Sequence, residues 1–224
     1  MSSKRKPPFS GDPLPRGRHG LSSQFVRASQ RERVVRAMLT LVAEQGYIAT
    51  TVPAVVAAAR VSRNAFYEFF QDKQECFLVA AEEAAADVFA TMETFGLEQD
   101  WIQGIRRGLS AWLGWWEARP GLARAWLIEL PLAGGEAAEQ HQRAAQPYVQ
   151  LFRRIAERIR REHPGLPPMP EFVPTFLVAG LLARVTDEVR TNGAANLTRL
   201  VEPGVYITVK LLADDRTART LLPP

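Results

Sequence analysis

Three features of the sequence predict an all-α protein, in which an N-terminal three-helix bundle is joined by a connector helix to a larger C-terminal helical domain. Apolar residues recur at three- and four-residue spacings through most of the 224 residues. No run of β-branched residues alternates with polar ones, so nothing reads as a strand. Breaker residues cluster between the periodic segments, at Gly46, Gly96, Pro120, Pro131 to Gly135, His163 to Pro170 and Asn192-Gly193. There is no internal repeat of fixed period.

A hydrophobic content of 46% with 23% charged residues supplies one sizeable core or two modest ones without covalent staples. The single cysteine, Cys76, has no intramolecular partner, and its helical spacing with Ala80 and Ala84 marks it as a small buried hydrophobe. No apolar stretch follows the N-terminal basic residues, and runs such as Phe176 to Ala183 are far short of the ~20 residues a membrane span needs. The expected location is cytoplasmic, with no membrane association.

Charge is unevenly placed. Residues 1–36 hold nine Lys/Arg against Asp12 and Glu32, a segment of +7 in a chain of net +4, which leaves −3 for the remainder. A basic arm on a near-neutral body fits a polyanionic partner, because Lys and Arg near phosphates release counterions; it also fits a solubilising tail. Within it, residues 1–22 are rich in Pro, Gly, Ser, Lys and Arg and too poor in apolar surface to order, so they are expected to form a disordered basic arm.

The first helix runs from about Gln24, with Val34, Val35, Met38, Leu41 and Val42 on its apolar stripe and Arg27, Arg31, Arg33 and Arg36 on its other faces; Gly46 stops it. Thr50 or Thr51 caps the second helix, where Pro53 is tolerated in the first turn. Val52, Val55, Val56 and Ala59 fall at i, i+3, i+4 and i+7. Arg60-Val61 makes the turn, Ser62 caps the third helix, and Phe66, Phe69 and Phe70 follow. Asp72 and Glu75 stand at capping-box spacing before a fourth helix that carries Phe77, Ala80, Ala84 and Val88 to about Phe95.

Five more helices are expected beyond Gly96. Trp101, Ile105, Leu109, Trp112 and Trp116 form a stripe on the first of them, and Trp126 lies on the next. Tyr148, Phe152, Ile155 and Ile159 line a long one kinked near Pro147. The last two, about 171–191 and 195–213, are apolar on more than one face and need a second partner, for which another copy of the chain is an economical candidate. Pro203-Gly204 inside the final helix conflicts with its continuity.

The stretch Thr50 to Lys73, TTVPAVVAAARVSRNAFYEFFQDK, holds two short apolar-periodic segments around a three-residue turn, which is how a helix-turn-helix reads in sequence. After that turn Arg63 and Asn64 stand at the third helix's N-terminus, where Arg suits guanine and Asn suits adenine. Thr51, Ser62, Tyr67 and Lys73 offer donors suited to phosphate oxygens. An ordinary helical hairpin with a solvated face is the alternative reading.

The same residues resemble the helix-turn-helix of the TetR (tetracycline-repressor-like) family of bacterial transcriptional regulators, and Arg31 to Tyr47, ending E-Q-G-Y, is similar to that family's first helix and glycine stop. The resemblance covers about a quarter of the chain. It implies that Thr51, Ser62, Arg63, Asn64, Tyr67, Phe69 and Lys73 occupy DNA-facing positions, with Tyr67 and Lys73 as phosphate anchors. Three residues depart from the family pattern: Arg60 replaces a turn glycine, Asn64 a small residue and Phe69 a polar aromatic. Arginine tolerates the left-handed backbone poorly, so Arg60 points to a slightly different turn. Residues 44–75 carry three cations against four acids, so affinity is expected to lean on Arg27, Arg31 and the arm.

The resemblance also implies an effector pocket among the C-terminal helices. Trp101, Trp112, Trp115, Trp116, Trp126 and Phe152 are the candidate lining residues for a hydrophobic or aromatic molecule, although an aromatic stripe is also what a plain core looks like. His19, His141 and His163 lack a compact metal-ligand spacing and read as surface residues. Arg153, Arg154, Arg158, Arg160 and Arg161, interspersed with Glu157 and Glu162, read as a solvated face. No nucleophile–base pair stands out, so neither catalysis nor a cofactor is expected.

The expected organisation is therefore a basic arm at 1–22, a helix-turn-helix DNA-binding domain at 23–71, and an effector-binding and dimerisation domain at 72–224. The function expected is a ligand-responsive regulator, a repressor on a palindromic operator, dimeric through the last two helices. An all-helical enzyme or binding protein for a hydrophobic small molecule is the alternative. A helical interaction module is a third, but it leaves Arg63, Asn64 and Tyr67 unexplained.

Overall fold

The computed structural model describes residues 23–93 and 100–213. The expected arm at 1–22 and the helix end near Phe95 lie outside them. Helices are joined by turns, with no strand among the described residues. The chain divides into two compact units, Met1–Ala81 and Glu82–Pro224.

The N-terminal unit contains α1 (Ser23–Gln45), α2 (Val52–Ala59), α3 (Arg63–Tyr67) and the start of α4 (Lys73–Glu93). The division between units falls within α4 rather than at its first residue. Val34, Val35, Met38 and Val42 of α1 are buried with Val55 and Ala59 of α2, Phe66 and Phe70, and Cys76 and Phe77 of α4. Leu41, Val52 and Val56 are half-buried, while Ala37 and Leu39 join the core because α1 meets both α2 and α3. Gly46 at φ 84° ends α1, its N–H reaching the Val42 carbonyl at 2.9 Å. Thr51, not Thr50, caps α2; the buried Thr50 hydroxyl instead donates to the Gly46 carbonyl at 2.8 Å.

α4 opens with the expected acidic cap. The Glu75 N–H donates to Asp72 Oδ1 at 2.8 Å, and Glu75 Oε2 accepts from the Gln71 N–H at 2.5 Å.

Among its described residues the C-terminal unit contains the rest of α4 and six α-helices, one more than expected: α5 (Trp101–Glu117), α6 (Pro120–Arg124), α7 (Gly135–Arg143), α8 (Gln146–Glu162), α9 (Val173–Asn192) and α10 (Val201–Leu212). The expected kink at Pro147 is a full break. α7 ends at Arg143 and α8 begins at Gln146, because a proline without an N–H fits a first helical turn and not an interior. Between α6 and α7 the chain passes through a π turn (Ala125–Glu129) and a 3₁₀ turn (Leu130–Leu132).

The conflict at Pro203-Gly204 disappears for the same reason. A 3₁₀ turn at Leu197–Leu200 precedes α10, so Pro203 sits in the first turn of a new helix rather than inside one running from 195. Gly204 is where α10 meets α5: a Cβ there would lie 3.1 Å from Leu109 Cδ1. Polar contacts fix the same junction. Arg106 pairs in a fork with Glu202 at 2.8 and 3.1 Å, and Glu117 Oε2 accepts both the N–H and the hydroxyl of Thr198 at 2.9 Å.

Buried Glu188 of α9 accepts from Arg184 and Asn192, each at 2.7 Å, and from Arg199. The Asn192 amide first, then the two arginines, hold its carboxyl below the usual range. Arg160 is not part of a solvated face: its guanidinium donates to the carbonyls of Pro167 at 2.9 Å, Leu212 at 3.0 Å and Ala156 at 3.3 Å. It thereby ties the end of α10 to α8, and burial lowers its pKa.

Candidate nucleic-acid interface and ligand cavity

In the N-terminal unit, the turn between α2 and α3 sets the site. Arg60 adopts φ 53°, ψ 49°, the left-handed conformation that the usual glycine would take. Its N–H donates to the Ala57 carbonyl at 3.2 Å, and the Val61 N–H donates to the Val56 carbonyl at 3.1 Å, the paired bonds of a Schellman ending. The different turn expected from Arg60 is therefore not formed. Two C-cap bonds, joined by Arg33 Nη1 donating to the Arg60 carbonyl at 3.4 Å, hold an arginine where glycine is easier.

Ser62 then caps α3, its hydroxyl oxygen accepting from the Ala65 N–H at 3.0 Å; Thr51 does the same for α2 with the Ala54 N–H at 3.3 Å. Both residues are exposed. A capping oxygen accepts, which leaves the hydroxyl proton free to donate outward, so capping and phosphate contact are compatible roles. Arg63 and Asn64 are exposed on the first turn of α3. Tyr67 is 45% exposed and stands edge-on to Phe66, with the Arg63 guanidinium 5.6 Å from its ring centre.

The remaining candidates are placed differently. Phe69 is half-buried against Phe70, with Arg27 5.8 Å above its ring and 3.8 Å from Glu68, while Arg31 lies 5.7 Å above Phe70. Lys73 is half-buried: its Nζ donates to the Tyr47 carbonyl at 2.9 Å and lies 4.1 Å from the Tyr47 ring centre. Burial pushes its pKa down. Its first partner is thus the loop after α1, a contact that spacing along the chain could not reveal.

In the C-terminal unit, α5, α9 and α10 enclose an open cavity of about 520 Å³. Its walls are apolar apart from Arg184, and include Trp112, Phe176, Leu181, Pro203, Ile207 and Leu211. A second cavity, about 20 Å³, lies among Met92, Trp112, Tyr148, Phe152 and Val178; it shares Leu109, Trp112 and Leu181 with the first. Burial raises the Tyr148 hydroxyl far above the phenol range, opposed by the nearby Trp112 indole N–H.

Of the six aromatic candidates, Trp112 and Phe152 line these cavities. Trp101, Trp115, Trp116 and Trp126 line neither. Trp116 and Trp126 are core residues 5.5 Å apart, and the half-buried His141 ring packs at a tilt against Trp126, 4.5 Å between centres. His141 is therefore no surface residue: its Nδ1 is buried without a hydrogen-bond partner, and burial lowers its pKa against a bond to the Trp126 main chain. Among the described residues no cluster of three or more His, Cys, Asp or Glu could hold a metal, and no helix is long and apolar enough to cross a membrane.

The fold and this interface define a two-unit helical protein of the helix-turn-helix class. Residues 34–80 match the family model of the bacterial regulatory proteins of the tetR family. Similar folds occur in the fatty acid degradation regulator FadR from Bacillus halodurans (TM-score 0.70, 18% identity, covering 80% of this chain and 94% of that one). They occur also in FadR from Bacillus subtilis in complex with stearoyl-CoA (0.66, 14%, 80% and 97%) and in the TetR family transcriptional regulator PfmR from Thermus thermophilus (0.64, 18%, 80% and 95%). No curated protein sequence matches significantly. Residues 34–80 thus match the DNA-binding part of the tetR family, and the described chain shares the fold of these neighbours; the matched family and these neighbours are regulators, not enzymes.

Proposed function

We propose that the chain is a homodimeric repressor that binds a palindromic operator and is released by an apolar effector. The observation that carries this reading is the exposed pair Arg63 and Asn64 on the first turn of α3, flanked by the capping hydroxyls of Thr51 and Ser62. That arrangement suits base edges in a major groove between two phosphate contacts. Two copies about a two-fold axis would read half-sites ~34 Å apart.

The dimer surface is assigned to α9 and α10, where Phe172, Phe176, Tyr206, Ile207 and Leu211 are exposed. The effector is assigned to the 520 Å³ cavity, whose size falls within the ~300–1,000 Å³ usual for small-molecule sites. Its apolar walls favour a molecule with a long apolar chain, and the FadR complex with stearoyl-CoA offers a precedent on a similar fold. α4 belongs to both units and is the element through which an effector would bias DNA affinity by favouring one of two conformers.

A mobility-shift assay on the DNA upstream of the chain's own gene tests the reading. Sequence-preferential, salt-sensitive binding by a dimer is expected, and binding without sequence preference would refute it. Tyr67→Ala should weaken binding to all operators alike, whereas Asn64→Ala should change the preferred base. Equal losses on every sequence from both variants would overturn these roles.

A further inference from the structure

We propose that Arg60, in the turn of the helix-turn-helix, is an additional DNA-backbone contact, its guanidinium holding a phosphate at the edge of each half-site. The inference rests on the DNA-binding reading above and extends it to a residue to which nothing in the family pattern assigns that role.

Four observations converge on it. The position keeps the left-handed backbone at φ 53°, ψ 49°, which an L residue with a long side chain occupies at a cost that glycine avoids. Its main chain is pinned on both sides, by the N–H bond to Ala57 and by Arg33 on its carbonyl, so the side chain departs from a fixed point two residues before the Ser62 cap. The residue is exposed, and among the described residues its guanidinium makes no ion pair or hydrogen bond. Finally, three other cations of the same unit have partners: Lys73 in the Tyr47 carbonyl, Arg36 in Glu32 at 2.8 Å, and Arg27 in Glu68 at 3.8 Å.

The acids Glu44, Glu68, Asp72 and Glu75 outnumber the cations of residues 44–75. With Lys73 half-buried on the Tyr47 carbonyl, Arg60 and Arg63 are the exposed positive charges of that stretch. Arg63 stands among the residues aimed at bases, which leaves Arg60 to meet the polyanion. A cation at the C-terminus of α2 also gains from the helix dipole, but glycine or asparagine would serve the turn better.

The test uses the full-length dimer and three substitutions, Arg60→Gly, Arg60→Asn and Arg60→Lys, with melting temperature and operator affinity measured across a salt series. Arg60→Gly should raise the melting temperature while weakening binding roughly tenfold on every sequence, and should reduce the log–log salt slope by about 0.9 for each protomer. Arg60→Asn, which tolerates the left-handed backbone, should lose affinity and slope in the same way; Arg60→Lys should keep the slope. Wild-type affinity and slope in the glycine and asparagine variants would overturn the proposal, as would a changed base preference. Loss of binding in the lysine variant equal to that in glycine would also overturn it. Failure of the unsubstituted protein to bind any operator sinks the regulator reading itself, which is a separate result.

Discussion

At Lys73 and His141, position along the chain and position in space part company. The family resemblance implies a DNA-facing position for Lys73, and its charge suits a phosphate. In the fold its ammonium is drawn onto Tyr47, by a carbonyl at 2.9 Å and a ring at 4.1 Å. His141 has no neighbour in sequence that marks it as interior, yet it packs against Trp126 through contacts that only folding creates. Its consequence is a pH dependence. Burial holds its pKa below the ordinary imidazole value of about 6.5, so below that pH the unfolded chain binds a proton that the folded chain refuses. Stability contributed by this residue is complete above about pH 6.5 and falls as pH drops toward the folded value. Melting temperatures of the wild type should therefore decline from pH 7 to pH 5 more steeply than those of His141→Gln. Parallel curves would mean that His141 is not buried neutral.

At the scale of elements, most helices were legible because period and punctuation agree. The α2 stripe, the Ser62 cap, the Gly46 stop and the Asp72–Glu75 box are all local, and local rules recover them. Two boundaries were misplaced where proline was taken as an interior residue, at Pro147 and Pro203, when both stand in first turns. The seam of α5 with α10 was illegible, since no rule of spacing tells which helix Gly204 must admit. Its Cβ position lies 3.1 Å from Leu109 Cδ1 and 3.6 Å from Leu181 Cδ2, so a branched side chain would push α10 away from α5. Gly204→Val should cost about 1–3 kcal/mol, read as a lower unfolding midpoint in urea, with strain outweighing the gain in helix propensity. An unchanged midpoint would show that Leu109 and Leu181 yield freely. The cavity walls belong to the same lesson: Trp112 and Trp116 share one stripe, and only Trp112 lines the cavity, while Trp116 packs on Trp126.

For the whole molecule, the apolar excess on the last two helices has the largest consequence. Phe176 is 69% and Ile207 47% exposed, on the two helices that also wall the cavity. In the proposed dimer, a second copy covering them would also cap the mouth of the cavity. Phe176→Glu should yield a monomer by light scattering, retaining its helical circular dichroism but losing operator binding, because a single copy holds one half-site. A dimer that persists in this variant would place the two-fold axis elsewhere.

The distribution of two rare residue types across the units has a practical side. All five tryptophans, from Trp101 to Trp126, lie in the C-terminal unit, and the one thiol, Cys76, is enclosed in the N-terminal unit beside Phe77. Indole emission therefore follows the native cavity half, while the enclosed Cys76 thiol reacts only when the N-terminal unit opens and so times that unit's unfolding.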